Sequence, residues 1–106
     1  MINYDLIPQF MIDKGVSLRK FGIFEYAWMA KDINEIIDIL YKKKIPILGG
    51  DVYKMSNGQI CQTYDSWYIN ASDECDFYIK SYEKAMLYIL DYEERNEGQF
   101  FYTIVY

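Results

Sequence analysis

The stretch Ile45–Tyr53, reading Ile-Pro-Ile-Leu-Gly-Gly-Asp-Val-Tyr, restricts the backbone of this chain more than any other. Ile45 precedes a proline, whose ring pushes it toward extended conformations. Ile47, Leu48 and Val52 favour a strand, yet the adjacent pair Gly49-Gly50 would weaken a straight one. A glycine pair inside a strand marks a bulge, a sharp bend or the close approach of another backbone. The expectation is a bulged core strand that sets Asp51 just past its bend.

The segments flanking this stretch are readable from their periodicity. Asp32 opens a helix, with Glu35 placed as the reciprocal partner of a capping box. Ile33, Ile36, Ile37, Leu40 and Tyr41 follow the i, i+3, i+4, i+7, i+8 rhythm of one buried face, and Asp38 and Lys42 are spaced to pair on the other. Lys42-Lys43-Lys44 suits a helix C-terminus, where the macrodipole favours cations. Downstream, Asn57-Gly58 between alternating runs predicts a two-residue type I′ hairpin. That turn pairs Met55 with Ile60, Tyr53 with Gln62 and Asp51 with Tyr64. It puts Asp51, Tyr53 and Tyr64 on one face, and Val52, Asp65 and Trp67 on the other. Neither face is purely apolar, so parity does not say which one meets the core.

Toward the N-terminus, Asp5 is placed to cap a short helix reaching about Asp13, and Ser17 to start a second turn ended by Gly22. Ile23–Ala30 reads as extended. Toward the C-terminus, Phe77-Tyr78-Ile79 reads as a short extended entry to a helix capped by Ser81 and stopped by Gly98. Gln99–Tyr106 is a nearly continuous β-branched and aromatic run, the pattern of a strand buried within a sheet. The predicted class is α+β: a mostly antiparallel sheet of about four strands with helices packed on one face.

At 106 residues the chain makes one domain, residues 1–106, able to bury about two-thirds of its unfolded surface unaided. Its sixteen acidic and eleven basic residues leave a net charge of −5, the wrong sign for a phosphate-binding footprint. Nucleic acid is therefore not an expected partner. No basic leader or long apolar run is present, so the expectation is a cytoplasmic chain without a membrane partner, its two cysteines reduced. The sequence has no histidine, which removes Ser-His-Asp and Cys-His catalysis and histidine-ligated metals.

Other catalytic or cofactor constellations are thin. Asp51 and Asp65 lie on paired strands, but the register sets them on opposite faces, poor geometry for shared acid–base work. Asp73, Glu74 and Asp76 around Cys75 do not match a calcium-loop pattern, and a solvated loop accounts for them. Neither a cofactor nor a metal is expected. What remains is a surface. Tyr53, Tyr64, Trp67 and Tyr68 share a hairpin with Asp51 and Asp65, followed by the acidic Asp73 and Glu74. Aromatic contact area ringed by charge is the composition of a protein-binding patch, and the acidic surplus would speed encounter with a basic partner. The bland alternative is that these aromatics cover the sheet beneath the helices. A second functional reading is a small-molecule-binding or enzymatic domain using Asp51 and neighbouring tyrosines. A closed apolar pocket at the glycine pair would favour it.

The run Gly22-Ile23-Phe24-Glu25-Tyr26-Ala27-Trp28, then a helix, then Ile-Pro-Ile-Leu-Gly-Gly-Asp-Val-Tyr, then Ser66-Trp67-Tyr68, resembles small bacterial immunity proteins. The likeness is to the immunity protein 40 family of polymorphic toxin systems, from about Ser17 onward. Its most specific elements are Gly49–Tyr53 and Trp67. The resemblance implies a non-enzymatic cytoplasmic antidote that binds a cognate protein toxin and blocks its active site or assembly. It supplies no toxin-contacting residues, and it leaves the toxin and the oligomeric state open.

Overall fold

The computed structural model describes residues 6–106. In chain order they form α1 (Gln9–Ile12), β1 (Val16–Ser17), a 3-10 turn (Arg19–Phe21), β2 (Tyr26–Ala27), α2 (Ala30–Lys42), β3 (Gly49–Ser56), β4 (Gln59–Tyr68), α3 (Phe77–Arg95) and β5 (Gln99–Tyr102). β1 and β2 make a small antiparallel arm, and a three-stranded antiparallel sheet has the order β4-β3-β5. The class is α+β, as expected. The strand carrying the glycine pair is the central one.

The sheet is covered on both faces, which explains why neither face of the hairpin is purely apolar. Val52, Trp67, Phe100 and Tyr102 join Ile33, Ile36, Ile37 and Leu40 of α2 and Ala85 and Ile89 of α3 in the main core. Tyr53, Ile60 and Phe101 join Leu18 and Ala27 of the N-terminal arm in a second, smaller cluster. Each large apolar side chain so enclosed contributes about 1.5–3 kcal/mol relative to exposure. β5 lies at the end of the strand order, yet Phe100, Phe101 and Tyr102 are all buried. Its outer edge is closed by Trp28, which exchanges backbone hydrogen bonds with Tyr102 at 2.9 and 2.7 Å.

Three local expectations are corrected. α2 starts at Ala30 after Met29, without a side-chain cap, and Asp32 sits in its first turn, where a negative charge meets the helix dipole. Asp38, spaced to pair with Lys42, instead accepts from the Tyr82 hydroxyl at 3.0 Å and so ties α2 to α3. α3 begins at Phe77, not after Ser81. Ser81 lies inside the helix, buried, where its hydroxyl accepts from the Ile47 N–H at 2.9 Å and donates to the Tyr78 carbonyl. A mid-helix serine thus anchors the approach to β3 rather than capping a helix. The proposed Asp5 cap lies outside the described residues, and the short helix near it spans Gln9–Ile12.

Candidate functional site

The turn at Asn57-Gly58 forms as its sequence demands. Both residues have positive φ, at 51° and 78°, the signature of a primed turn. Met55 pairs with Ile60 and Tyr53 with Gln62, as read from the turn. Beyond that point the register departs from expectation: Asp51 faces Ser66, not Tyr64, and Gly50 faces Trp67. Three residues of β4, Thr63, Tyr64 and Asp65, therefore stand opposite the single residue Val52. The bulge is in β4, away from the glycine pair.

Side chains build it. The Thr63 hydroxyl donates to the Val52 carbonyl at 2.7 Å and accepts from the Asp65 N–H at 3.1 Å, so it replaces ladder bonds that the extra residues interrupt. Tyr64 at the apex adopts φ 67°, in the left-handed region that costs an L-residue about 1–2 kcal/mol. Its ring is 88% exposed. A strained, solvent-directed aromatic gains nothing from packing, which points to use rather than stability.

The glycine pair has a different task. A Cβ on Gly50 would fall on the Thr103 carbonyl oxygen and the Trp67 ring, and one on Gly49 on the Trp67 carbonyl. The pair lets β3 be approached from two sides at once. Thr103, buried, takes the Asp51 N–H on its hydroxyl at 2.8 Å and returns its own N–H to the Asp51 carbonyl at 3.0 Å. The space beside Gly50, where the small-molecule reading looked for a pocket, is filled by the Trp67 indole.

The predicted site residues divide accordingly. Tyr53 and Trp67 are core residues, only 4% and 5% exposed. Tyr53 packs near Phe21, with ring centroids 5.7 Å apart, and Trp67 stacks on Tyr88 at 5.0 Å. Asp51, Tyr64, Asp65 and Tyr68 are exposed, as are Asp73 and Glu74. Asp65 accepts from the Tyr92 hydroxyl at 2.8 Å, which fixes its carboxylate beside α3. Tyr68 lies under the Lys84 ammonium, whose Nζ also donates to the Tyr68 carbonyl at 2.6 Å. Glu74 pairs with Lys80 at 2.9 Å, and both line an opening that also takes in Tyr68 and Lys84. Of the predicted site residues, Asp51, Tyr53, Tyr64 and Asp65 come together around the bulge.

A cleft of about 380 Å³ opens there, lined by Ile23, Asp51, Val52, Tyr53, Gln62, Tyr64 and Asp65. Sequence reasoning missed Ile23 and Gln62. It also missed Glu25, which the N-terminal arm carries over the sheet. Burial, and then the nearby Asp51 charge, raise the Glu25 carboxyl above its ordinary range. Burial, Asp51 and Glu25 likewise raise the Tyr53 phenol. The only sequence signal for Glu25 was its place in the Gly22–Trp28 run. Among the described residues, no group of three or more Cys, Asp or Glu side chains could hold a metal ion. No helix among them is long and apolar enough to cross a membrane.

No curated protein and no solved structure matches the chain. The family model described as immunity protein 40 matches residues 17–106, which takes in the arm bearing Glu25, the glycine pair, the bulge and the last strand. The chain belongs to the immunity protein 40 family.

Proposed function

We propose that this protein neutralises a cognate bacterial protein toxin by binding it, without catalysis, in the cytoplasm. The observation that carries the reading is the strained and exposed Tyr64 beside Asp51 and Asp65, in a chain of an immunity family. The contact surface in this reading is the outer side of β4, with Tyr64, Asp65 and Tyr68 as its exposed members and Asp51 beside them. Tyr53 and Trp67 act beneath it by holding the strands in place. Asp73 and Glu74 form a secondary rim. The acidic surplus fits a basic toxin surface, by the steering that opposite charge gives an encounter.

The test is co-expression with the product of the toxin-like gene adjacent to this one. Restored growth and co-purification of the two chains are expected. Unrelieved toxicity with the antidote present and folded would overturn the reading. Asp51→Ala should weaken that protection while leaving thermal stability near the parent value, since its side chain is exposed and only its backbone is bonded to Thr103.

A further inference from the structure

The free edge of the central sheet is β4, because β3 is flanked on its other side by β5 and the outer edge of β5 is met by Trp28. An open edge ordinarily invites another strand to pair with it. Here the three-residue bulge breaks the row of backbone donors and acceptors at Thr63–Asp65. Regular strand addition is therefore blocked at the position where the exposed tyrosine sits. Recognition at this edge must come from side chains entering the cleft.

The cleft states which side chains. Its lining includes the acidic residues Asp51 and Asp65 with Gln62 and Tyr64, and none of its lining residues carries a positive charge. The ion pairs of the described residues join Lys14 to Asp32, Lys80 to Glu74 and Asp76, and Arg95 to Asp91, so Asp51 and Asp65 belong to none of them. At about 380 Å³ the opening lies at the lower end of the roughly 300–1,000 Å³ range of ligand pockets, which suits one long side chain. Two carboxylates and an aromatic face are the partners that a guanidinium or ammonium group takes. A second copy of this chain is a poor occupant, because pairing two such edges would bring the acidic bulge of β4, with Asp65, against its own like charge.

We propose that the bulge cleft of β4 is the docking point for a cationic side chain, arginine or lysine, presented by the toxin. The placement rests on the toxin-binding reading above. The cation sits in the cleft that Asp51, Asp65 and Tyr64 line. Thr63 is a positioning residue, since it fixes the bulge that turns Tyr64 outward.

Two measurements test this separately from the immunity reading. The first titrates the intact chain with N-acetyl-arginine amide, with the uncharged N-acetyl-citrulline amide as control, followed by amide NMR shifts. Saturable shifts confined to Asp51–Tyr53 and Gln62–Asp65, seen with the cation alone and lost in Asp51→Asn/Asp65→Asn, are expected. Equal response to citrulline, or no response at these amides, overturns the cleft. The second measures toxin affinity by calorimetry for the parent and the same double variant. A loss of about tenfold to a hundredfold is expected, with the parent's affinity falling as salt rises and the variant's falling less. A parent that protects cells and a folded variant that binds equally well would sink the cationic anchor and leave the immunity reading standing. A parent that fails to bind the toxin while the cleft still takes the arginine probe would do the reverse. A dimer in light scattering, lost on Tyr64→Ala, would assign the edge to self-association instead.

Discussion

The two ends of the β3–β4 ladder solve opposite problems. At Gly49-Gly50 three backbones and an indole crowd together, both glycines are buried, and the side chain is deleted to make this possible. At Thr63–Asp65 the strand takes in extra residues, lifts a tyrosine into solvent and borders an open cleft lined by two acidic residues. The first region gives up side chains for packing. The second gives up backbone comfort for display. The difference separates the parts of the hairpin that hold the fold from those free to meet a partner.

That division can be broken most severely at Gly50. Gly50→Val should cost about 3–5 kcal/mol or prevent folding, because neither the Thr103 carbonyl nor the Trp67 ring can retreat within a close-packed core. Chemical denaturation with soluble expression as a second readout checks it, and near-parent stability would mean that β3 can shift relative to β5. Thr63→Val comes next, at about 1–3 kcal/mol, since it orphans the Val52 carbonyl and the Asp65 N–H together. Faster amide exchange at Asp65 should accompany the loss.

Tyr64→Gly sharpens the contrast from the other side. Relief of the left-handed strain should outweigh the entropy of the added glycine, leaving the variant about 0.5–1 kcal/mol more stable while its affinity for toxin falls. A destabilised variant would show that Tyr64 packs after all. The smallest effect is expected at Glu25. Its raised pKa means the charged form is disfavoured on folding, so its contribution is most favourable below the ordinary carboxylate range and is lost as pH rises through the raised value. Glu25→Gln should therefore raise the melting temperature by about 1–3 °C at neutral pH, a gain limited by solvent screening. The gain should vanish near pH 4, where the parent is protonated as well.

The features legible in the sequence were those fixed by local periodicity or by a residue with one conformational use. The apolar face of α2, the Asn57-Gly58 turn and the register out to Gln62 all came from neighbours in the chain. The bulge was expected at the glycines because glycine is the usual sign of irregular backbone. It formed instead where a threonine hydroxyl could stand in for the ladder, and no residue type at Tyr64 announces a positive φ. The burial of Tyr53 and Trp67 depends on what lies above each face of the sheet, and hairpin parity carries no information about an arm much earlier in the chain or a helix still to come. Ser81 shows the same limit: its partner is Ile47, on another element, so a capping residue by pattern became a tertiary anchor in fact.

The position of β3 between its two neighbours also sets an order of assembly. Its pairing with β4 closes a two-residue turn, whereas Val52 meets Tyr102 only across roughly fifty residues of intervening chain. The hairpin can form early, on the microsecond scale of local contacts. Until α3 and β5 arrive, the edge of β3 along Val52–Met55 that β5 will cover stays open, and that open edge has no bulge to blunt it. The chain is thus most exposed to mispairing before its last strand docks, on the side of β3 opposite β4.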